Sequence, residues 1–132
     1  MAHKILSINP GATSTKVALY QDTKPIKVEV IRHSPEDLSA FKQTLDQLDY
    51  RKGLILKFLE QNKVKVNDLS AVVGRGGPFK PLESGTYLVN EKMLSDIKTG
   101  NVQADHPSNL GALIAHELTK DTNIPAFIVD PV

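Results

Sequence analysis

The segment ILSINPGATSTKVALY, residues 5–20, contains two apolar runs separated by a turn of small and polar residues. In the second run, two sets of side chains alternate along the chain, which is the period of a β-strand. The alternating sets are Thr15, Val17 and Leu19 against Lys16, Ala18 and Tyr20. The pattern predicts a β-hairpin with a long turn at its tip.

The composition of that turn suits an anion. Gly11 and Ala12 keep bulk away from the backbone, so that successive N–H groups can approach a phosphate. Hydroxyl groups and one charge follow directly, on Thr13, Ser14, Thr15 and Lys16. An ordinary hairpin tip rich in turn formers remains the alternative. A Walker loop is excluded, because that motif leads into a helix and here a strand follows.

Length and composition limit the class of protein. The chain of 132 residues predicts one domain with a core of its own. With no cysteine, disulfides, thiolate zinc sites and thiol nucleophiles are excluded, as suits a reducing compartment. The net charge of +1 and the few aromatic residues argue against a nucleic-acid partner. No leader pattern and no long apolar run is found, so we expect a cytoplasmic protein without a membrane partner.

The rest of the chain alternates between strand and helix patterns. Residues 25–32 predict a third strand near a sheet edge. Ser34 and Pro35 predict the start of a helix that runs to Leu48, and a second helix covers residues 50–62. Residues 68–74 predict a buried strand parallel to the first.

Later elements follow the same logic. Residues 79–89 look irregular, with a small hairpin at Gly85 as one option, and Asn90 predicts the cap of a helix over residues 91–99. A polar turn at residues 105–109 precedes another helix, and residues 125–129 predict a final strand. The order predicts an α/β fold, in which a five-stranded mixed sheet begins with a β1-β2-β3 meander and is flanked by helices.

Three residues at predicted strand or helix ends are candidates for a site. Arg75 stands among glycines and suits a carboxylate or phosphate, although a solvated loop arginine is an equal alternative. Asp130 follows the last strand and suits Mg²⁺, or else caps the strand in solvent. His106 near a helix start suits an anion, and a turn histidine bonded to backbone is the alternative.

Four separated motifs carry a family resemblance. NPGATSTK, VVGRGGPFKPLESGTY, HPSNLGALIA and IPAFIVDPV resemble the butyrate kinases of the acetokinase family, within the actin-like, ribonuclease H-like ATPases. The resemblance covers nearly the whole chain. It implies transfer of a phosphoryl group from ATP to butanoate, or another short-chain carboxylate, with Mg²⁺.

The resemblance also implies residue roles. Residues 9–16 correspond to the first phosphate motif, with Asn9 and Asp130 at the metal and the transferring phosphoryl group. Arg75, with Gly76 and Gly77, meets the substrate, and His106 and Asn109 line the same site. Acetate kinases space their substrate-side arginine differently, which leaves the role of Arg75 open between carboxylate and phosphoryl.

The family continues beyond the length of this chain into a second, C-terminal domain that binds the nucleotide. We therefore expect residues 1–132 to be the N-terminal lobe, with weak or no turnover by itself, and an uncovered lobe surface that favours a homo-oligomer. A kinase of the same superfamily with another acceptor and a non-catalytic scaffold fragment are the alternative functions.

Overall fold

A computed structural model describes residues 3–75, 85–99 and 107–129 and contains a mixed β-sheet with helices packed on it. In chain order the elements are β1 (Lys4–Pro10), β2 (Ser14–Gln21), β3 (Lys24–Arg32), α1 (Pro35–Ser39), α2 (Leu48–Gln61), β4 (Ala71–Arg75), β5 (Thr86–Leu88), α3 (Glu91–Thr99), α4 (Leu110–Thr119) and β6 (Ala126–Val129). Short 3-10 turns at Thr44–Gln47, Val66–Asp68 and Pro107–Asn109 precede α2, β4 and α4.

The strand order in the sheet is β3-β2-β1-β4-β6-β5. The first three strands form an antiparallel meander, and β3 is an edge strand, as predicted. Strand β4 is parallel to β1, and β6 is parallel to β4, which confirms the predicted helical crossovers. The carboxyl ends of β1, β4 and β6 therefore lie at one edge of the sheet.

The sheet has six strands where the sequence predicted five. The extra strand, β5, lies in a segment that was expected to be irregular, and it pairs antiparallel with β6 through Tyr87 and Ile128. Strand β5 has only three residues, which is too short to show the alternating pattern of a strand. Their conformation is set by a partner about forty positions away, which local pattern reading does not see.

One face of the sheet carries the hydrophobic core. The register pairs Leu6 with Leu19 and with Val72, so their side chains share that face. Helices α2 and α4 cover it. The buried residues of the two helices include Ile55, Phe58, Leu59, Leu110, Leu113 and Ile114. No helix in the described ranges combines the length and the apolar character that a membrane span needs.

The predicted single helix from Pro35 to Leu48 is wrong. Its start is as expected, since the Ser34 hydroxyl accepts a hydrogen bond from the Asp37 amide at 3.1 Å, but α1 ends at Ser39. Further along, the Asp46 carboxylate accepts from the Gln43 amide at 3.3 Å, and Gln43 is extended. Such a local side-chain bond offers the backbone an alternative to the helix.

The later helices agree with the sequence. Helix α3 has the predicted bounds, and the Asn90 side chain caps it by accepting from the Met93 amide at 2.8 Å. Helix α4 begins directly after Asn109.

Two glycines bring α4 against the sheet. A Cβ atom at Gly74 in β4 would lie 2.5 Å from the carbonyl oxygen of Gly111 in α4. A Cβ atom at Gly111 would in turn lie 2.5 Å from the carbonyl oxygen of Arg75. Both contacts are with backbone, which cannot rotate aside, so the first turn of α4 can sit on the end of β4 only while both positions lack a side chain.

We expect Gly74→Ala and Gly111→Ala each to lower the free energy of unfolding by about 3 kcal/mol, the upper end for overpacking, because rigid backbone must move. Urea unfolding followed by circular dichroism measures this. Gly53→Ala is the matched control. A Cβ at that helical position meets nothing within 4 Å, so this variant should gain about 0.5 to 1 kcal/mol. Wild-type stability in Gly74→Ala would contradict the account.

Candidate functional site

Polar side chains gather where β1 and β4 end. In the parallel register Ile8 lies beside Gly74, so the next residues, Asn9 and Arg75, lie level with each other. A cavity of about 240 Å³ opens at this edge, and both residues line it. Its lining consists of Ser7, Ile8, Asn9, Val73, Gly74, Arg75 and Val129. Arg75 is the last residue of β4 and not part of the following loop as the sequence suggested, so the strand fixes its backbone.

A third polar residue extends this row. Lys16 in β2 is the cross-strand partner of Asn9, which places both side chains on the same face of the sheet. On the other side, Arg75 is the partner of Val129 in β6. With neighbouring strands about 4.8 Å apart, the row Lys16, Asn9, Arg75, Val129 spans about 14 Å. Lys16, Asn9 and Arg75 are exposed, so two cations and an amide face solvent together.

The turn between β1 and β2 lies at the same edge. Only Gly11, Ala12 and Thr13 are outside the strands, and the Gly11 amide closes the turn by donating to the Ser14 carbonyl at 2.7 Å. Ala12 and Thr13 are exposed, and within the described residues their amides donate to no partner. These two amides are therefore the groups of the turn that can bind an anion.

The hydroxyl of Thr15, which the sequence assigned to phosphate binding, faces the interior. Thr15 is fully buried in β2, and its Oγ1 accepts from the Arg51 guanidinium at 3.1 Å and lies 2.8 Å from Nε2 of His33. The His33 amide also donates to the Thr13 carbonyl at 2.9 Å. The structure therefore brings Thr13 and Ser14 to the turn and Thr15 to a buried network beside it.

Sequence reasoning missed this network. Arg51 and His33 are buried polar side chains, and burial lowers the pKa of each, with the Arg51 charge lowering the pKa of His33 further. A signal for Arg51 was present. Arg51 precedes Ile55, Phe58 and Leu59 by four, seven and eight residues. It therefore lies on the apolar stripe of α2.

Asn109 approaches the site from the helix-covered face. It is buried, together with Ser108, in the 3-10 turn that leads into α4, and this turn contacts β1. Asn109 and the row of Asn9 and Arg75 therefore reach one edge from opposite sides of the sheet. Gly76, Gly77, His106 and Asp130 lie outside the described residues, and their assignment stays a prediction. Val129, which immediately precedes Asp130, lines the cavity.

Solved structures share this fold at low sequence identity. An exopolyphosphatase from Cytophaga hutchinsonii superposes with a TM-score of 0.62 at 12% identity, over 98% of this chain and 54% of that one. Acetate kinase from Porphyromonas gingivalis gives a TM-score of 0.56 at 16% identity, over 96% of this chain and 37% of that one. The fold, as predicted, is that of the actin-like ATPases.

Sequence comparison narrows the class. The chain is 51% identical over 130 residues to butyrate kinase 1 and 48% identical over 132 residues to butyrate kinase 2, both from Clostridium acetobutylicum. The matches cover 98% and 100% of this chain but only 36% and 37% of those relatives. A scan against family models gave no match. The chain is similar to these butyrate kinases over nearly its whole length and spans a little over one third of theirs.

The buried histidine should make stability depend on pH. Because its pKa is lowered in the folded chain, below about pH 6.5 the unfolded chain binds a proton at His33 that the folded chain does not. The free energy of unfolding should therefore fall as the pH drops from 6.5 through the lowered pKa, by up to about 1.4 kcal/mol per pH unit from this group.

Urea unfolding at about pH 7.5 and about pH 5.5 tests this. The loss of stability at the lower pH should shrink in His33→Gln and persist in His116→Gln, which removes a histidine of α4. Equal pH dependence in the wild type and His33→Gln would show that His33 stays uncoupled from folding.

Proposed function

We propose that this chain is the phosphate- and carboxylate-binding part of an ATP-dependent butyrate kinase. The reaction transfers the γ-phosphoryl group of ATP to butanoate, or another short-chain fatty acid, and gives ADP and the acyl phosphate reversibly. One observation carries the proposal. Lys16, Asn9 and Arg75 share a sheet edge with two turn amides that have no partner among the described residues, in a chain about half identical to butyrate kinases.

The chemistry explains the residue types. A carboxylate is already ionised at neutral pH, so the nucleophile needs no strong general base. The obstacle is the approach of one anion to another. Catalysis of this kind therefore depends on positioning and on neutralising charge, which cations and oriented amides supply.

Each group of the edge has a role in this proposal. The amides of Ala12 and Thr13 hold phosphate oxygens at the turn. The planar guanidinium of Arg75 pairs with the substrate carboxylate or with the phosphoryl group as it moves between the two oxygens. Lys16 adds positive charge across the row. The first turn of α4 brings Asn109 to the same edge from the other face of the sheet, and His106 is assigned to the site from the sequence alone.

The donor set suits Mg²⁺. Magnesium is commonly held by one or two protein oxygens together with substrate phosphates. The described residues contain no cluster of three or more acidic or histidine side chains that could hold a metal ion elsewhere. Asn9, exposed beside the cavity, offers an amide oxygen, and Asp130 a carboxylate. Bound there, the ion would neutralise charge on the phosphates.

The cavity also offers a surface for the alkyl chain. Its wall next to Arg75 includes Val73 and Val129, which are partly exposed, whereas the Ile8 side chain is buried in the core. A carboxylate on Arg75 would lay a short chain against this wall. Each methylene adds only about 1 to 3 kcal/mol of discrimination, so neighbouring chain lengths should be accepted as well.

The domain organisation is part of the proposal. Residues 1–132 form the acetokinase-type lobe, and the adenosine pocket is assigned to the part of the longer relatives that this chain does not match. The working compartment is the cytoplasm. The isolated chain should show little or no turnover, and robust synthesis of butanoyl phosphate by it alone would contradict this assignment.

Replacing the matching third of butyrate kinase 1 from Clostridium acetobutylicum by this chain provides an enzyme for the main test. In that chimera Arg75→Ala should lower kcat/KM for butanoate by about 100- to 1,000-fold, because a charge-stabilising donor is lost. Arg75→Lys should recover only part of this, since it lacks the bidentate fork. Trapping the acyl phosphate as a hydroxamate measures the rate.

Lys57→Ala is the control, because it removes an exposed cation of α2. It should leave the rate unchanged. Full activity of Arg75→Ala would contradict the assignment of Arg75. A chimera that phosphorylates alcohols in preference to a panel of short carboxylates would contradict the assigned acceptor.

A further inference from the structure

Arg51 of α2 is an unusual member of the core. Its side chain is fully buried, at 0% exposure, and donates three hydrogen bonds. Nε binds the Gln47 side chain at 3.0 Å, and Nη1 binds both the Ser14 carbonyl and the Thr15 hydroxyl at 3.1 Å. Within the described residues no carboxylate forms an ion pair with it. Its three hydrogen-bond acceptors in the described part of the chain are all neutral groups.

Core stability does not explain this arginine. Removing a charge from water is costly, and a cation without an opposite charge recovers little of that cost. An apolar side chain of similar length is often as stable or more stable at such a position. One guanidinium nitrogen, Nη2, is also buried and has no hydrogen-bond partner among the residues that the structure describes. The role of Arg51 must therefore come from its effect on the groups that it binds.

One of those groups, the Ser14 carbonyl, belongs to the turn. The Ser14 carbonyl that accepts from Arg51 is the same oxygen that accepts the Gly11 amide at 2.7 Å, the bond that closes the turn. Ala12 and Thr13 lie between Gly11 and Ser14, and their amides have no partner in the described residues. Arg51 thus ties the closing bond of the turn to the rigid helix α2. Its charge, held in a medium of low dielectric constant, also favours an anion nearby.

We propose that Arg51 is a positioning residue for the anion-binding turn at residues 11–14: it fixes the Ser14 carbonyl so that phosphate meets a preformed turn, and it adds a buried positive charge behind it. The proposal rests on the proposed function, since it takes phosphate as the ligand of the turn. A preformed site binds more tightly, because the ordering cost is not paid at binding.

The test uses the 132-residue chain labelled with ¹⁵N and two measurements. The first is hydrogen exchange of the Gly11 amide without ligand. The second is the Kd of inorganic pyrophosphate, from chemical shifts of the Ala12 and Thr13 amides. In Arg51→Met, which keeps the stem and removes charge and donors, Gly11 exchange should rise and affinity should fall, each at least about tenfold.

Two further variants separate position from charge and from folding. Arg51→Lys keeps the charge but loses the fork, so Gly11 exchange should rise while affinity falls only about threefold. Lys52→Met removes the neighbouring cation, which pairs with Glu117 at 3.6 Å and does not contact the turn. It should leave both measurements at the wild-type values. Exchange of the Leu6 amide in β1 reports whether a variant is globally less stable.

The outcomes are distinct. Arg51→Met and Arg51→Lys with wild-type exchange at Gly11 would overturn the proposal, as would a rise at Gly11 no larger than the rise at Leu6. An equal loss of affinity in Lys52→Met would show that any nearby positive charge has the same effect, and this result would also overturn the proposal. If pyrophosphate shifts no amide of residues 9–16 in the wild type, the proposed function fails, while the exchange measurement still decides whether Arg51 positions the turn.

Discussion

The contact between the backbones of Gly74 and Gly111 sets the geometry of the whole edge. It brings the first turn of α4 onto the last residues of β4, so that Asn109 and Arg75 are held by one rigid junction. A side chain at either glycine would separate helix and strand by more than the core could absorb, because protein interiors are close-packed. The position of the candidate site is therefore a consequence of packing.

The turn at Gly11 depends on a second, polar constraint. Apolar contacts hold α2 on the sheet through Ile55, Phe58 and Leu59, but the position nearest the turn carries Arg51 instead. Apolar packing is non-directional, whereas a guanidinium fixes the direction of each bond that it makes. A turn that must present amides to an anion needs such direction. The chain accepts a buried charge where a defined turn is required.

Sequence periodicity predicted the meander, the parallel strands and three of the four helices, because burial on one face leaves a readable pattern. It failed for the segment after α1, where the bond between Gln43 and Asp46 overrides helical spacing, and for β5, whose pairing with β6 is long-range. In the site, Asn9 and Arg75 were predicted and lie together, but Thr15 was assigned by residue type and points inward. Arg51 was not singled out by the sequence, although it lies on the apolar stripe of α2.

The central claim is that Asn9, the turn amides and Arg75 surround one phosphate. A crystal structure of the chain with tungstate, a phosphate analogue visible by anomalous scattering, tests it most directly. The account predicts a single strong peak within hydrogen-bond distance of the Ala12 or Thr13 amide and on the side of the edge that carries Arg75. A peak bound elsewhere, for example at Lys63 and Lys65 beyond the end of α2, with the edge empty, would contradict it.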